Sequence, residues 1–234
     1  MWNGKKKAVT FSFDDGVTQD IRLVEILNKY HLKGTFNLNS SKFSLPSEPW
    51  KTDKGEVPRP FIHASQVKTL YAGHEVAVHT LTHPNLTTLS EEAIIWQVGQ
   101  DQKVLSELCG YPVIGMAYPC GGVNNDERVA GVIRENTSIR YSRTITSTLT
   151  FETQKENLLR FNPTLHFLNP KTEEVVDEFL ALETDEPQVL YIWGHSYELD
   201  YDESRWERFE KLCEKLSGRA DIFYGTNKEV LLDD

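Results

Sequence analysis

The stretch AVTFSFDDGVTQDIRLVEILNKYHLKGTFNLN, residues 8–39, reads as a strand, a helix and a second strand. Two short apolar runs, 8–13 and 34–39, are bounded by turn residues, and the segment 19–31 between them has the periodicity of an amphipathic helix. Strands that alternate with helices in this way pair in parallel, because the helix carries the chain back along the sheet. The stretch therefore predicts an α/β fold.

The same alternation continues along the chain, and seven or eight such units fit a parallel sheet or barrel. We predict one domain, 1–234, since a chain of 234 residues is ordinary for such a barrel. The further predicted strands are 74–79, 113–118, 139–144, 158–164, 188–193 and 221–225. The further predicted helices are 64–71, 90–109, 126–136, 171–183 and 203–217. The segment 40–60 is irregular, rich in proline and polar residues, and follows the second strand on the side where βα barrels form active sites.

Composition excludes several classes of function. The formal net charge is −10 and the pI about 5.2, so the chain repels phosphate backbones and anionic lipid. No run of about eighteen apolar residues could span a membrane. The lysines 5–7 are followed by too few apolar residues for a signal-peptide core, so we expect a cytoplasmic protein. Three cysteines, widely spaced, argue against a disulfide framework and a CxxC metal site.

Four polar motifs follow predicted strands and carry the chemistry. They are FDDG (13–16), HTLTH (79–83), AYPCGG (117–122) and WGHSYE (193–198). Taken singly, each is typical of a turn or of a hydrogen-bonded core residue. In a βα barrel, however, the carboxyl ends of the strands face one another, so the four motifs are expected to meet.

Together the motifs indicate a metal-dependent hydrolase. Two neutral imidazoles and one carboxylate form a three-ligand site for a divalent ion and leave positions open for water and substrate. Adjacent aspartates at a strand end point in different directions, so one can bind the metal while the other takes a proton from water. Such a ligand set suits zinc, and also cobalt, nickel or iron.

These motifs resemble those of the polysaccharide deacetylases of carbohydrate esterase family 4, which share the homology domain of the nodulation chitooligosaccharide deacetylases. TFSFDDG (10–16) resembles the first motif of the family, HTLTHPNL (79–86) the second, AYPCGG a variant of the third, and WGHS (193–196) the fifth. The resemblance extends from about Lys7 to Gly225. It implies a distorted (β/α) barrel with seven or eight strands, and removal of N- or O-linked acetyl groups from a carbohydrate.

The resemblance also implies a role for individual residues. Asp14 corresponds to the general base, and His195 to the general acid that protonates the leaving group. The metal ligands correspond to Asp15, His79 and His83. The backbone N–H of Cys120 corresponds to a donor to the oxyanion beside the metal.

The sequence departs from the family pattern in the third and fourth motifs. Many members carry an arginine in the third motif that contacts the base, where this chain has Ala117, and no convincing fourth motif is present. Arg143 and Arg160 follow or end predicted strands, and either could orient Asp14. Each could equally be a solvated or ion-paired surface residue.

Four further residues are candidates around the site. Trp50 could stack on a sugar ring or only anchor its loop, and Tyr118 and His166 are expected to line the pocket. His166 could also be a packed surface histidine. Glu198 could orient His195 or face water.

Two other functions remain open from the sequence. Cys120 could be a nucleophile with His195 as its base, although that leaves FDDG and HTLTH without a role. Alternatively, the altered third motif could mark a carbohydrate-binding relative without catalytic activity. The oligomeric state, the acetylated substrate and the choice between amide and ester do not follow from these residues.

Overall fold

The computed structural model describes residues 1–232. Residues 233 and 234, which the one-domain prediction includes, lie outside the described residues. The strands are β1 (Lys7–Asp14), β2 (Gly34–Leu38), β3 (Trp50–Thr52), β4 (Gly55–Val57), β5 (Glu75–Val78), β6 (Gly115–Ala117), β7 (Tyr141–Arg143), β8 (Leu165–His166), β9 (Gln188–Gly194) and β10 (Ile222–Tyr224). The α-helices are α1 (Asp20–Lys29), α2 (Val67–Leu70), α3 (Glu91–Cys109), α4 (Glu127–Asn136), α5 (Thr172–Ala181), α6 (Glu203–Leu216) and α7 (Asn227–Leu231).

Eight strands form one parallel sheet that curls into a distorted barrel, as predicted. The strand order is β7-β6-β5-β2-β1-β9-β8, and β10 pairs with the start of β1. Phe161 extends the sheet edge at β7, since its backbone N–H donates to Ser142 O and its carbonyl accepts from Thr144 N–H, both at 2.9 Å. Among the described residues, β7 and β8 are the two ends of the strand order, so the barrel is regular around β1 and distorted between these two strands.

The alternation of side chains along β1 decides what faces the barrel interior. Phe11 and Phe13 are fully buried and pack on Phe209 of α6, so this face of the strand is covered by a helix. The intervening residues point inward, because Thr10 Oγ1 donates to Asn227 Oδ1 and Arg143 Nε donates to Ser12 Oγ. The interior is consequently polar, and Asp14 extends this inward row to the carboxyl end of the strand.

Three local features differ from the sequence prediction. The predicted strand 158–164 is wrong, because residues Lys155–Arg160 form a 3₁₀ helix and the strand begins only at Leu165. Pro163 lacks the N–H that a strand within the sheet would donate. The segment 40–60 contains the antiparallel hairpin β3–β4, and the short helix α7 was not predicted.

Within residues 1–232, no helix is long and apolar enough to cross a membrane.

Candidate active site

The carboxyl ends of β1, β5, β6 and β9 surround one cavity of about 220 Å³. Residues from all four motifs line this cavity, together with one arginine from the segment that follows β2. The lining residues are Asp14, Asp15, Arg59, His79, His83, Tyr118, Cys120, Gly121, Ile145, Trp193, His195 and Tyr197. The motifs, which are up to 180 residues apart in the chain, thus meet at one end of the barrel.

Asp15, His79 and His83 form a compact group of potential metal ligands. Asp15 Oδ1 lies 3.8 Å from His79 Nε2 and 3.4 Å from His83 Nε2. His79 Nδ1 donates to the carbonyl of Ala117 at 2.8 Å, which leaves the lone pair of Nε2 directed towards Asp15. Burial lowers the pKa of both histidines, that of His83 to about 4, so both imidazoles are neutral near pH 7. Two neutral imidazoles and a carboxylate within 4.8 Å of one another could hold a divalent ion.

Strained backbone positions these ligands. Asp15, Thr80, His83 and Cys120 have φ values of 81°, 67°, 67° and 71°, in the left-handed region that non-glycine residues seldom adopt. Each such residue costs on the order of 1–3 kcal/mol. Hydrogen bonds hold the strained turns, since Asp15 N–H donates to Asn37 O at 3.0 Å and His83 N–H to Thr80 Oγ1 at 3.1 Å. The strain turns the side chains of adjacent residues towards the same cavity.

Arg143 holds the carboxylate of Asp14. Its Nη2 lies 2.6 Å from Asp14 Oδ1 and 2.5 Å from Oδ2, and Asn37 Nδ2 donates to Oδ1 at 2.8 Å. Both members of the ion pair are buried, with Arg143 fully so. Burial alone would raise the pKa of Asp14, but the charge and hydrogen bond of Arg143, together with the neighbouring histidines, outweigh burial and the pKa falls below its ordinary value. Asp14 is therefore an oriented anion beside the three potential ligands.

His195 and His166 share the carboxylate of Glu198. Glu198 Oε2 lies 3.2 Å from His195 Nδ1 and 2.9 Å from His166 Nε2, and it also accepts from the backbone N–H of His195 at 3.0 Å. Burial lowers the pKa of His195, but the hydrogen bond and charge of Glu198, together with the charges of Asp15 and Asp14, outweigh burial and raise that pKa to about 9. The same two histidines hold the pKa of Glu198 well below its usual range. His195 is consequently protonated at neutral pH in this arrangement.

The tautomer of His166 follows from a third contact. The backbone N–H of Leu168 donates to His166 Nδ1 at 3.1 Å, so this nitrogen carries no proton. His166 is then a neutral ring that donates from Nε2 to Glu198. This geometry disfavours a metal ion among His166, His195 and Glu198, although their donor atoms lie within 4.8 Å of one another. A metal would need the lone pair of Nε2 and would force a proton onto Nδ1, against the N–H of Leu168.

The remaining predicted residues occupy different places. Tyr118 lines the cavity, while its hydroxyl donates to Leu159 O at 2.8 Å. The ring of Trp50 lies 5.8 Å from that of Tyr197, and the ring of His166 lies 6.3 Å from that of His195. Neither Trp50 nor His166 is among the residues that line the cavity, so their contacts with a substrate stay predictions.

Arg160 and Cys120 also differ in their surroundings. Arg160 bonds to Asn125 and the exposed Glu127, and its recorded contacts do not include Asp14. Cys120 Sγ lies 3.9 Å from His83 Nδ1, and burial raises the pKa of its thiol. Its backbone N–H donates no hydrogen bond within the part of the chain that the structure describes. The free donor on Cys120 is therefore its amide, and the thiol is not activated.

Sequence reasoning missed the residues that support the ligands from behind. Asn39 Nδ2 donates to the carbonyls of His79 and Thr80 at 2.5 and 2.8 Å. Asp101 on α3 accepts from His79 N–H at 3.2 Å and from Ser40 N–H at 2.7 Å, and burial raises its pKa to about 7. In the stretch TFNLN (35–39), asparagine stands at alternate positions, 37 and 39. This alternation of polar and apolar residues was the sequence signal for the polar support.

Comparison with known proteins agrees with the fold and the motifs. The model of the polysaccharide deacetylase family matches residues 2–134, which is more than half of the 234 residues. The chain belongs to the polysaccharide deacetylase family.

Individual relatives are distant. The chain is 26% identical over 125 residues, 53% of its length, to the peptidoglycan-N-acetylmuramic acid deacetylase PdaC of Bacillus subtilis, and this match covers 23% of PdaC. The structure is similar to a family 4 carbohydrate esterase from Streptomyces lividans, with a TM-score of 0.57, 17% identity and coverage of 95% and 93% of the two chains. It is also similar to a CE4 family pseudoenzyme from Bacillus anthracis, with a TM-score of 0.56, 19% identity and coverage of 97% and 66%. At such identities, the structural likenesses establish the fold.

Proposed function

We propose that this chain, as one domain, is a metal-dependent hydrolase that removes N- or O-linked acetyl groups from a carbohydrate. One observation carries the proposal: an oriented carboxylate, Asp14, lies beside three potential metal ligands in a cavity that His195 also lines. Family membership supports the same reaction. The relatives whose names specify an activity include a deacetylase of peptidoglycan, which supports an acetylated glycan as the class of substrate.

Asp15, His79 and His83 would hold one divalent ion, and their nitrogen and oxygen donors suit zinc, with cobalt, nickel or iron as alternatives. When bound, such an ion polarises a carbonyl group and makes water more acidic. Asp14 accepts the proton of the attacking water, and Arg143 keeps this carboxylate ionised and fixed in orientation. The unpaired N–H of Cys120 donates to the oxygen of the acetyl group as negative charge develops there.

His195 supplies the proton that the leaving group needs. Its Nδ1–H donates to Glu198, so the second ring nitrogen is the one available to the cavity. The neutral His166 donates to the same oxygen and thereby keeps Glu198 ionised, which makes His166 and Glu198 positioning residues. An acid of this kind matters most for an amide or a sugar alkoxide, which leave poorly without protonation.

Two alternatives make different predictions. The similarity to a pseudoenzyme favours testing for a carbohydrate-binding protein without turnover. A Cys120 nucleophile lacks support, because its thiol has a raised pKa and its contacts are with His83, not with His195. Replacement of Cys120 by Ser should keep turnover, since serine retains the backbone N–H.

The decisive experiment is acetate release from a panel of N- and O-acetylated glycans. The protein is stripped with a chelator and assayed before and after addition of zinc, cobalt or nickel, with Asp14→Asn as the matched inactive variant. We expect metal-dependent acetate release that Asp14→Asn removes. Sugar binding without acetate release under every metal would overturn the proposal in favour of the silent relative. Loss of activity in Cys120→Ser with full metal content would instead revive the nucleophile.

A further inference from the structure

Arg59 presents unused hydrogen-bond donors to the cavity. It ends the segment that contains the β3–β4 hairpin, and its side chain forms part of the cavity wall. Two contacts fix the guanidinium, since Nε donates to Glu48 O at 2.8 Å and the group lies 5.1 Å from the centre of the Tyr197 ring. Its two terminal nitrogens form no hydrogen bond or ion pair within residues 1–232. The guanidinium is thus held in place with its forked end unoccupied.

A second cation, Lys42, lies near the same side of the cavity. Its Nζ lies 5.5 Å from the Phe61 ring, and it has no ion-pair partner in the part of the chain that the structure describes. Burial lowers the pKa of Lys42, and the positive charge of Arg59 lowers it further, whereas Asp15 acts in the opposite direction. Lys42 thus lies within electrostatic range of Arg59, Asp15 and Cys120, which all line the cavity.

We propose that Arg59, assisted by Lys42, binds a carboxylate carried by the substrate, so that the protein acts on acetylated sugars with an acidic substituent. The proposal rests on the function proposed above and deepens it. A guanidinium matches a carboxylate through two parallel N–H···O bonds, and such charge-assisted bonds are stronger than bonds between neutral groups. A neutral sugar would cover Arg59 and leave its donors unpaired, which carries a desolvation cost.

Pairs of sugars that differ only in charge test this proposal. N-acetylmuramic acid, its methyl ester and N-acetylglucosamine are compared as substrates of the zinc-loaded protein by kcat/KM for acetate release. Calorimetry with muramic acid, its methyl ester and glucosamine, which have no acetyl group to lose, measures binding without turnover. We expect about 10- to 100-fold preference for the free acid over the methyl ester in both measurements, the usual range for a bond to a charged group.

Variants of Arg59 assign the preference to this residue. Arg59→Met should abolish the preference, Arg59→Lys should retain part of it, and Lys42→Met should reduce it. Lys51→Met is the matched control, because Lys51 is an exposed cation on β3 of the same hairpin, and it should behave like the unmodified protein. Equal binding of acid and ester, or an unchanged preference in Arg59→Met, would overturn the proposal.

Two further measurements distinguish carboxylate selection from binding of the released product and from failure of the proposed hydrolysis. Sodium acetate is titrated alone, and binding that depends on Arg59 and equals that of muramic acid would assign the carboxylate site to the released product instead. If no sugar yields acetate, the proposed hydrolysis fails, while the calorimetric comparison still decides whether Arg59 selects a carboxylate. If acetate is released equally from all three sugars and binding is also equal, hydrolysis stands and carboxylate selection is wrong.

Discussion

Replacement of Glu198 by Gln should reverse the protonation state of His195 at neutral pH. The carboxylate raises the pKa of His195 to about 9 against an ordinary value of 6.5, although burial acts in the opposite direction. Since one pKa unit corresponds to about 1.4 kcal/mol, the net shift favours the protonated ring by about 3 kcal/mol, with Glu198 as the largest favourable contribution. Glutamine keeps the size of the side chain and removes the charge. Burial then opposes only the charges of Asp15 and Asp14, so we expect the pKa of His195 to fall below about 7.

The assay is an NMR titration of the imidazole signals of His195 in metal-free protein between pH 5 and pH 10. Glu207→Gln is the matched control, because Glu207 is an exposed carboxylate on α6, and it should leave the midpoint near 9. A midpoint that stays above about 8 in Glu198→Gln would refute the assignment of this pKa to the ion pair. A midpoint near 6.5 in the unmodified protein would refute it as well.

The raised pKa of His195 also affects the stability of the fold and the rate of turnover. Because the folded-state pKa is raised, the ion pair contributes stability that is complete below about pH 6.5 and is lost as pH rises through about 9. Urea unfolding should therefore separate the unmodified protein from Glu198→Gln at pH 6 more than at pH 10. In metal-loaded protein, Glu198→Gln should slow the release of acetate from amides more than from activated acetyl esters, whose leaving groups need little protonation.

Variants at four other residues test the remaining roles. His166→Leu should raise the pKa of His195 further, because Glu198 loses a donor that competes for its charge, whereas His166→Gln should preserve the titration. Asp14→Asn should reduce turnover by about 10²–10⁴-fold with unchanged zinc content, whereas Asp15→Asn should lower zinc content measured by atomic emission. Arg143→Met should destabilise the fold by about 3–5 kcal/mol in urea, and the double variant with Asp14→Asn should lose less than the sum. Equal zinc contents in both aspartate variants, or additive losses in the double variant, would contradict these assignments.

The regular part of the fold could be predicted because it depends on local periodicity. The strand β1 and the helix α3 each carry a continuous pattern, and α3 also begins at Ser90, whose side chain accepts from Ala93 N–H. The wrong strand at 158–164 has a hydrophobic pattern too, but its bridge to the sheet is at Phe161, which bonds to Ser142 in β7 and to Thr144 just after it. Whether such a run pairs over its whole length is decided by barrel closure, which is a property of the entire chain.

The site could be predicted as far as the motifs themselves supply its residues. Aspartate and histidine at strand ends are visible in the sequence, because the chemistry restricts the residue types. Asn39 and Asp101 act through backbone atoms of the second motif, and such contacts leave no spacing rule. Arg59 lies in a segment with little periodicity. Its position in the cavity wall depends on how the β3–β4 hairpin folds back, which the sequence pattern does not indicate.

In the altered third motif, β6 carries no arginine, and the neighbouring strand β7 supplies one to the site instead. Ala117 on β6 and Arg143 on β7 are direct partners in the parallel register, so their Cα atoms occupy neighbouring positions about 4.8 Å apart across the sheet. The carbonyl of Ala117 accepts from His79, while Arg143 reaches Asp14 from the next strand along. The arginine that position 117 lacks is thus supplied one strand away. The altered third motif is therefore no evidence by itself for the silent relative, since a group that orients Asp14 is present.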